Sequence, residues 1–477
     1  MADERRTIPI AAEPAATVSM YASEKTIHPR AVHGWFAAWR WALVWATQLL
    51  YYGLPWLTWN DRPAVLFDLA ARRFYIFGLV LYPQDFIYLT GLLILSAYGL
   101  FLFTAVAGRL WCGYACPQTV YTEIFMWVEH RLEGDRNARI RLDRSAWDAN
   151  KLLRRGGKHL VWIAIGLWTG FTFVGYFTPI RSLASGVLQL GLGPWETFWI
   201  LFYGFATYGN AGFMREQVCK YMCPYARFQS AMFDHDTLII SYDERRGEPR
   251  GARSRSADRA ALEKGDCVDC TLCVQVCPTG IDIRKGLQYE CIGCAACIDV
   301  CNGVMDRMNY PRGLIRYATQ RSLQDGGTLT LRRVLRPRVL IYGVVLLLIG
   351  AAFVTSLALR APFRVDVVRD RGSLARLVDE GRIENVYSLQ LMNTTETAQR
   401  YSITAGGMEG ARAIVRGETS LAPAESRWVP VAVQVEPAQA QALGPGAHKI
   451  EFHVTREAGA GHEAVTVNEE STFVVPR

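Results

Sequence analysis

The sequence predicts a multi-domain membrane protein: an α-helical transmembrane bundle of five spans, an inserted cysteine-rich domain and a C-terminal all-β domain. Three observations support this prediction. Five apolar stretches are separated by polar segments, all 12 cysteines lie between Cys112 and Cys301, and apolar residues near the C-terminus recur with a period of two. A mean hydropathy of only +0.08, despite 51% hydrophobic residues, fits membrane spans diluted by polar domains.

Each apolar stretch approaches the roughly 20 residues that an α-helix needs to cross a bilayer. The stretches are residues 41–59, 86–107, 160–179, 195–213 and 339–359. The predicted parts are an N-terminal tail (1–35), a four-helix membrane domain (36–235), a linker and cysteine-rich domain (236–337), a fifth transmembrane helix (338–360) and a β domain (361–477). Twelve cysteines in a chain of 477 residues are too few for a disulfide scaffold.

The distribution of basic residues predicts the orientation in the membrane. Residues 108–158 contain ten Lys/Arg, whereas residues 180–194 contain one. Because cytoplasmic loops carry an excess of Lys/Arg, we expect the N-terminus and residues 108–158 and 214–337 in the cytoplasm, and the C-terminal domain outside. The outer connection 60–85 departs from the rule through Arg72 and Arg73, and we expect part of it to lie along the interface as a short helix.

The net charge of +8 is distributed unevenly. Residues 361–477 contain 12 Lys/Arg and 15 Asp/Glu. The remainder of the chain contains 40 Lys/Arg and 29 Asp/Glu. We interpret this asymmetry as basic cytoplasmic loops beside an acidic outer domain, and no nucleic-acid partner is predicted.

The first four spans are predicted to be an internal duplication. Two spans followed by CGYACP (112–117) recur 107 residues later as two spans followed by CKYMCP (219–224). A parallel repeat would bring the two C-x3-C-P pairs near each other on one membrane face. Each proline can begin a helix at its first position, and apolar spacing after Pro117 predicts a helix on the membrane surface.

The sharpest motif is a pair of cysteine runs. C-x2-C-x2-C-x3-C-P begins at Cys267, and a second C-x2-C-x2-C-x3-C begins at Cys291. In this register each tight run supplies three thiolates of a four-iron cubane and the other run supplies the fourth, as in two-cluster bacterial ferredoxins. The predicted [4Fe–4S] ligands are Cys267, Cys270, Cys273 and Cys301 for cluster one, and Cys277, Cys291, Cys294 and Cys297 for cluster two. The spacing in a cytoplasmic segment disfavours zinc and disulfides, so the domain is predicted to transfer electrons.

The two C-x3-C-P pairs are candidate copper sites. Cysteines four residues apart on a helix are close enough to share a soft metal or to form a disulfide. Thiolates favour Cu(I), and Met222 beside Cys223 is a weaker candidate ligand. The predicted catalytic and copper-binding residues are Cys112, Cys116, Cys219 and Cys223. The alternative is four buried thiols that pack as small hydrophobes. We interpret His130, His159 and His235 near the inner face as solvated or capping residues.

The C-terminal residues predict a β-sandwich of immunoglobulin type. Apolar and polar residues alternate over 387–392, 429–435 and 450–455, and Gly, Pro and Asn separate these segments. Alternation with a period of two indicates strands that bury one face. Short strands over about 115 residues are typical of two packed antiparallel sheets.

The order of these parts resembles the FixG/RdxA/CcoG-type cytochrome c oxidase accessory proteins of Gram-negative bacteria. The resemblance covers nearly the whole chain. It rests on LFDLAARRFYIFGLVLYPQDF (66–86), the two C-x3-C-P motifs, YDERRGEPRG (242–251), the cysteine octet and RDRGSLARLVDEGRIENVYSLQLMN (369–393). It implies an integral inner-membrane ferredoxin-like protein, with a periplasmic C-terminal domain, that reduces Cu(II) to Cu(I) in biogenesis of the cbb(3)-type oxidase.

The resemblance also implies cofactors and partners. The cofactors are two [4Fe–4S] clusters, with copper as substrate or transient ligand. The partners are the membrane, copper ions, copper chaperones or assembly factors and subunits of the oxidase, and an electron donor that is a quinol or a soluble reductant. Two other functions stay open: a quinol-oxidising subunit of a respiratory chain, and an assembly scaffold that senses redox state. Quinol-dependent cluster reduction would favour the first, and cluster loss that acts only through folding would favour the second.

Overall fold

The computed structural model describes residues 26–255, 263–324, 335–370, 372, 374–459 and 463–476. Most of the predicted N-terminal tail lies outside these ranges, as do two arginines before the fifth span, Arg332 and Arg333. The described helices are α1 (Trp35–Gly53), α2 (Phe86–Ala107), α3 (Leu110–Tyr114), α4 (Pro117–Glu133), α5 (Arg136–Arg144), α6 (Ala149–Val174), α7 (Ile180–Leu188), α8 (Pro194–Gly209), α9 (Pro224–Met232), α10 (Glu244–Gly247), α11 (Leu272–Gln275), α12 (Ala296–Met308), α13 (Gln320–Gln324), α14 (Pro337–Ala358) and α15 (Pro437–Leu443).

The strands fall into three groups along the chain. Those before the cysteine octet are β1 (Thr58–Trp59), β2 (Arg62–Pro63), β3 (Val65–Asp68), β4 (Arg73–Ile76), β5 (Leu79–Leu81) and β6 (Ile239–Tyr242). β7 (Ile315–Ala318) follows the octet and pairs with β6. The C-terminal strands are β8 (Phe363–Arg369), β9 (Arg376–Leu377), β10 (Ile383–Asn393), β11 (Gln399–Gly406), β12 (Arg412–Val415), β13 (Ser420–Leu421), β14 (Ser426–Val435), β15 (Gly446–Arg456) and β16 (Val465–Val475).

Two of the described helices are long and apolar enough to cross a membrane. They span Pro83–Ala107 and Pro337–Ala358, and so match the second and fifth predicted spans. The two helices pack against each other, with Phe353 lying against Gly91. Only 6% of the most apolar window of each is buried inside the protein. Their apolar surfaces are therefore available to a nonpolar environment.

The other three predicted spans coincide with helices that have different bounds. α1 ends at Gly53 because Gly53 and Pro55 are poor helix formers, and a short 3-10 turn follows. α6 ends at Val174, before Gly175, and its first turns are charged. α8 has 16 residues and continues as a π-helical turn, Asn210–Met214. Two of the described helices, and not five, meet the requirements of length and composition, so the five-span bundle stays a prediction.

The predicted interfacial helix in the connection 60–85 is wrong. The segment forms a three-stranded antiparallel sheet in which β4 pairs with β3 and with β5. Leu66, Tyr75 and Val80 are buried in a cluster with Met392 of the C-terminal domain. Aromatic and β-branched residues suit a half-buried pleated surface, and packing against a second domain stabilises the sheet.

The small sheet and the start of α2 anchor the C-terminal domain. Asp85 is 2% exposed, and it pairs with Arg360 and with Arg364, whose Nη2 lies 3.0 Å from Asp85 Oδ1. The Tyr82 hydroxyl donates to the carbonyl of Asn393 at 3.0 Å. The C-terminal domain therefore lies at the N-terminal end of α2.

The predicted immunoglobulin-like sandwich is confirmed. One sheet has the order β12-β14-β10-β8, with β9 also paired to β10, and the other has the order β13-β11-β15-β16. The inward side chains that the period-two pattern predicts, including Leu389, Val431 and Phe452, are fully buried in one core. Alternation along each strand thus separates the core face from the exposed face.

The cysteine-rich domain lies at the opposite end of α2. Arg336, just before α14, donates to Asp234 Oδ1 at 2.5 Å and to the carbonyl of Ala105 at 2.6 Å. Asp299 of α12, in the same domain, accepts hydrogen bonds from the first backbone N–H groups of α1, at 2.8 Å from Ala37. An acidic side chain at a helix N-terminus satisfies free donors and complements the helix dipole. The contact is so close that a Cβ on Gly34 would clash with Asp299.

Candidate iron–sulfur and thiol sites

The first predicted ligand set converges in the structure. Its four cysteines line one cavity between α11, α12 and the loop that precedes α11: Cys267, Cys270, Cys273 and Cys301. Burial raises the pKa of Cys273 to about 11 and that of Cys301 to about 12, and the pKa of Cys301 is raised further by the three other cysteines of the set. Left-handed backbone at Asp269 and Thr271 lets the loop curve around the cavity.

The second predicted set also converges. Burial raises the pKa of Cys297 well above its ordinary value, and Cys294, Cys291 and Cys277 raise it further. The loop before α12 turns through left-handed residues at Gly293 and Ala295. Cys273 of the first set also contributes to the pKa of Cys297, so the two sets are neighbours. Cys301 therefore lies beside the first tight run and Cys277 beside the second, and the ligand assignment stays a prediction.

The donor set fits four-iron clusters. A cubane needs four thiolates spread around a multi-atom cluster, and each converging set has four cysteines. Because burial raises the pKa of Cys291 and of Cys301, these two thiols stay protonated near neutral pH until a metal displaces the protons.

The cysteines of the two C-x3-C-P motifs occupy equivalent places in the two repeats. Cys112 lies in α3 and Cys219 lies in a π-helical turn, Val218–Met222. Cys116 and Cys223 are each the residue before a helix that begins with proline, α4 and α9. The predicted role of Pro117 and Pro224 as helix starts is confirmed.

The two thiol pairs lie beside each other, as a parallel repeat predicts. Burial raises the pKa of Cys219 to about 12, and Cys116, Cys112 and Cys223 raise it further. Burial likewise raises the pKa of Cys112 to about 11. The Cys112 thiol donates to Gln229 Oε1 of α9 at 3.3 Å, which links the first repeat to the second. We call the four cysteines the thiol site.

Met222 differs from the thiol site in its environment. Met222 is 56% exposed, whereas all four cysteines are partly buried. Its role as a copper ligand stays a prediction.

The thiol site packs directly against the loop of the second cluster. Cys112 and Cys219 lie on the same apolar cluster as Cys294 and Cys297. An added Cβ on Gly113 would come within 2.8 Å of the backbone of Cys294 and of its neighbour in the loop. The two backbones are thus in contact, and electrons would have a short path between the sites.

Two residues that hold this junction were not identified from the sequence. Arg109 is buried and donates to the carbonyls of Tyr289 and Ala226 and to the Ser230 hydroxyl, at 2.9 Å. Arg40 of α1 interacts with the thiol of Cys294. Both are single arginines at the ends of apolar stretches, which is the signal that could have identified them.

Comparison with known families agrees with this arrangement. A model described as a 4Fe-4S dicluster domain matches residues 214–320, and one described as a 4Fe-4S binding domain matches residues 89–134. The second match contains Cys112 and Cys116. A model described as the immunoglobulin-like fold at the C-terminus of FixG matches residues 353–476.

Comparison with individual proteins extends over most of the chain. The nitrogen fixation protein FixG of Rhizobium meliloti is 40% identical over 448 residues, which cover 87% of this chain and 85% of FixG. Protein RdxA of Cereibacter sphaeroides is 42% identical over 414 residues, which cover 84% of this chain and 87% of RdxA. The crystal structure of a FixG-related protein from Vibrio parahaemolyticus is 24% identical, with a TM-score of 0.21, and covers 24% of this chain and 97% of that one.

The fold and the cysteine sites define an iron–sulfur redox protein with two 4Fe–4S-binding domains and an immunoglobulin-like domain. At about 40% identity over most of both sequences, the chain belongs to the FixG/RdxA family.

Proposed function

We propose that the protein is an inner-membrane electron-transfer protein that reduces Cu(II) to Cu(I) at the thiol site, in assembly of a cbb(3)-type cytochrome c oxidase. The observation that carries the proposal is the convergence of two thiol pairs on one site against the loop of the second cluster. Thiols that served only as small hydrophobes would need neither the repeated spacing nor the repeated proline.

The chemistry of the thiols favours the reduced form of copper. Cu(II) prefers nitrogen and oxygen ligands in tetragonal geometry, whereas Cu(I) prefers few, soft ligands. Burial, which raises the pKa of Cys112 and Cys219, keeps the free thiols protonated, so copper binding releases protons. The site therefore stabilises the product of the reduction.

The reaction balances with the thiols as the immediate reductant. Two thiols that form a disulfide lose two protons and two electrons, which convert two Cu(II) ions to two Cu(I) ions. Two electrons and two protons then restore the thiol pair. When bound, the clusters supply electrons one at a time. The chain's own contribution is to hold Gly113 against the loop of Cys294, which keeps the two sites in contact.

A cavity gives copper access to the thiol site. It has a volume of about 500 Å³ and is lined by Cys219, Arg109 and Asp282 among other residues. Because the cavity lies between α9 and the cysteine-rich domain, it supports approach of copper from the cytoplasmic side of the proposed topology.

Serine substitutions test the thiol site. We expect that Cys112→Ser with Cys116→Ser, or Cys219→Ser with Cys223→Ser, abolishes Cu(II) reduction, measured with a Cu(I)-specific chelator and dithionite-reduced protein. The EPR signals of the clusters and an iron content of roughly eight per chain, as two cubanes require, should remain. The control Cys273→Ser should lose a cluster signal and sustained turnover, while a single-turnover burst remains.

Two results would contradict this function. Wild-type rates of copper reduction in both double variants would make the thiol site structural. Iron above eight per chain that disappears in the double variants would instead assign the four thiols to an additional iron–sulfur group.

A further inference from the structure

Two cavities of opposite character meet at a pair of tryptophans. The first, which we call the chamber, has a volume of about 700 Å³ and is lined by both polar and apolar groups. The second, which we call the groove, has a volume of about 510 Å³ and an almost entirely apolar wall. Trp41 of α1 and Trp127 of α4 line both, with ring centroids 6.4 Å apart.

The chamber adjoins the second cluster. Its wall includes Val276, Pro278 and Ala296, which are the chain neighbours of the predicted ligands Cys277 and Cys297. A group bound in the chamber would therefore contact residues that are adjacent in the chain to two predicted cluster ligands.

The chamber also has charged and polar side chains in its wall. Arg40 donates to Glu123 Oε1 at 2.9 Å, and both side chains line the chamber. His130 lines it as well, with its Nδ1 3.9 Å from Asp135 Oδ1. A carboxylate and an imidazole can exchange hydrogen bonds and protons with a polar ligand.

The groove leads away from the chamber along the apolar helices. It runs between α1, α4 and α6 and is lined by Val44, Ile124, Ile165 and Trp168 among others. Its wall is continuous with the helix surfaces that the proposed topology places in the bilayer. A long hydrocarbon chain would bury apolar area there at about 25 cal/mol per Å².

We propose that the chamber and the groove together bind a quinol, with its headgroup in the chamber and its isoprenoid tail in the groove, and that this quinol donates electrons to the second cluster. A polar redox headgroup on a long apolar tail matches the two cavities and their order. A phospholipid tail would match the groove. Its phosphate headgroup, however, would be repelled by the Glu123 carboxylate and has no redox chemistry that would explain a position beside a cluster ligand.

The oxidation balances with groups in the chamber. The quinol loses two protons and two electrons and leaves as the quinone. Glu123 and His130 accept the protons and pass them to water, and the two electrons would go to the clusters that the cysteine octet would hold, one to each. Quinol oxidation is independent of copper, because it determines how electrons reach the clusters and not where they leave.

Quinone binding tests the site without turnover. The full-length protein in detergent is titrated with decylubiquinone, and in parallel with a short-chain menaquinone analogue, by calorimetry. We expect Trp127→Ala to weaken binding about tenfold, a loss of about 1.4 kcal/mol. The control Trp195→Ala, which removes an exposed tryptophan of α8 outside both cavities, should bind as the wild type does.

Proton transfer is tested separately. Glu123→Gln should keep quinone affinity within about threefold but slow the bleaching of cluster absorbance by decylubiquinol about 100-fold, since removal of a general base typically costs that much. The control Glu196→Gln on α8 should bleach at the wild-type rate. Equal weakening by Trp127→Ala and Trp195→Ala would overturn the proposal, as would a copurified phospholipid that quinone does not displace in native mass spectrometry.

Discussion

At the scale of single residues, Glu129 joins the two repeats. It lies on α4 with its Oε2 2.8 Å from Arg139 of α5 and its Oε1 2.6 Å from Arg215, which follows α8. Lys158 of α6 lies 3.6 Å from Oε1. Burial alone would raise the pKa of Glu129, but Arg215, Arg139 and Lys158 outweigh it and lower that pKa. Ionised Glu129 therefore stabilises the arrangement that brings the thiol pairs together.

The Glu129→Gln variant should be strongly destabilised. The substitution keeps the shape of the side chain but removes the carboxylate that the three cations share. Breaking a buried ion pair costs about 3–5 kcal/mol. Thermal unfolding followed by circular dichroism in detergent measures this loss, with Glu196→Gln as control. A change in melting temperature equal to that of the control would contradict the role of the network.

The lowered pKa also determines the dependence on pH. The stabilisation by Glu129 is fully present above its unfolded pKa, about 4.3, and is lost as pH falls through the lower folded pKa. Wild-type protein should therefore lose stability on acidification below about pH 4, and Glu129→Gln should show a smaller loss over the same range.

At the scale of elements, the contact between α3 and the loop before α12 connects the thiol site to the second cluster. Both segments approach through glycine: Gly113 in α3, and Gly293, whose backbone has a φ of 73°. The atoms that a Cβ at position 113 would meet belong to the backbone, so they have little freedom to move. The junction depends on the absence of a side chain.

Gly113→Ala should separate the two elements. Overpacking typically costs about 1–3 kcal/mol, and here it would loosen the cluster loop. We expect a lower melting temperature and a lower iron-to-protein ratio after purification without oxygen. Gly99→Ala on α2 is the matched control, because a Cβ there meets nothing within 4 Å. Full iron retention in Gly113→Ala would show that the contact is dispensable.

At the scale of the whole molecule, the cysteine-rich domain and the immunoglobulin-like domain lie at opposite ends of the α2–α14 pair. Arg336 contacts Ala105 at one end, and Arg360 contacts Asp85 at the other. If these helices cross the inner membrane, the two domains lie on opposite sides of it. The basic residues in 108–158 favour the cytoplasm for the cysteine-rich end.

Reporter fusions test this topology. Alkaline phosphatase, which is active only outside the cytoplasm, should be active when fused after residue 477 and inactive when fused after residue 258. Fusions of a reporter that is active only in the cytoplasm should give the reverse pattern. Activity of the phosphatase after residue 258 would invert the proposed orientation.

Local sequence by itself predicted the cluster ligands and the duplication, and it determined the sandwich. Cubane ligation needs cysteines at short, fixed spacing, so the octet that begins at Cys267 can be recognised in the sequence alone. The period-two pattern around Leu389 likewise marks the buried face of a strand, because strand geometry alone produces it. These features depend on residues that are near each other in sequence.

Only the tertiary structure decided the features that depend on distant partners. The connection 60–85 forms a sheet because Met392, far along the chain, completes its core. The contact of Gly113 with the cluster loop, and the chamber between Trp127 and Pro278, arise from segments separated by more than a hundred residues. Local propensity is a weak guide where burial against another domain contributes more free energy, so no pattern within one segment could predict these contacts.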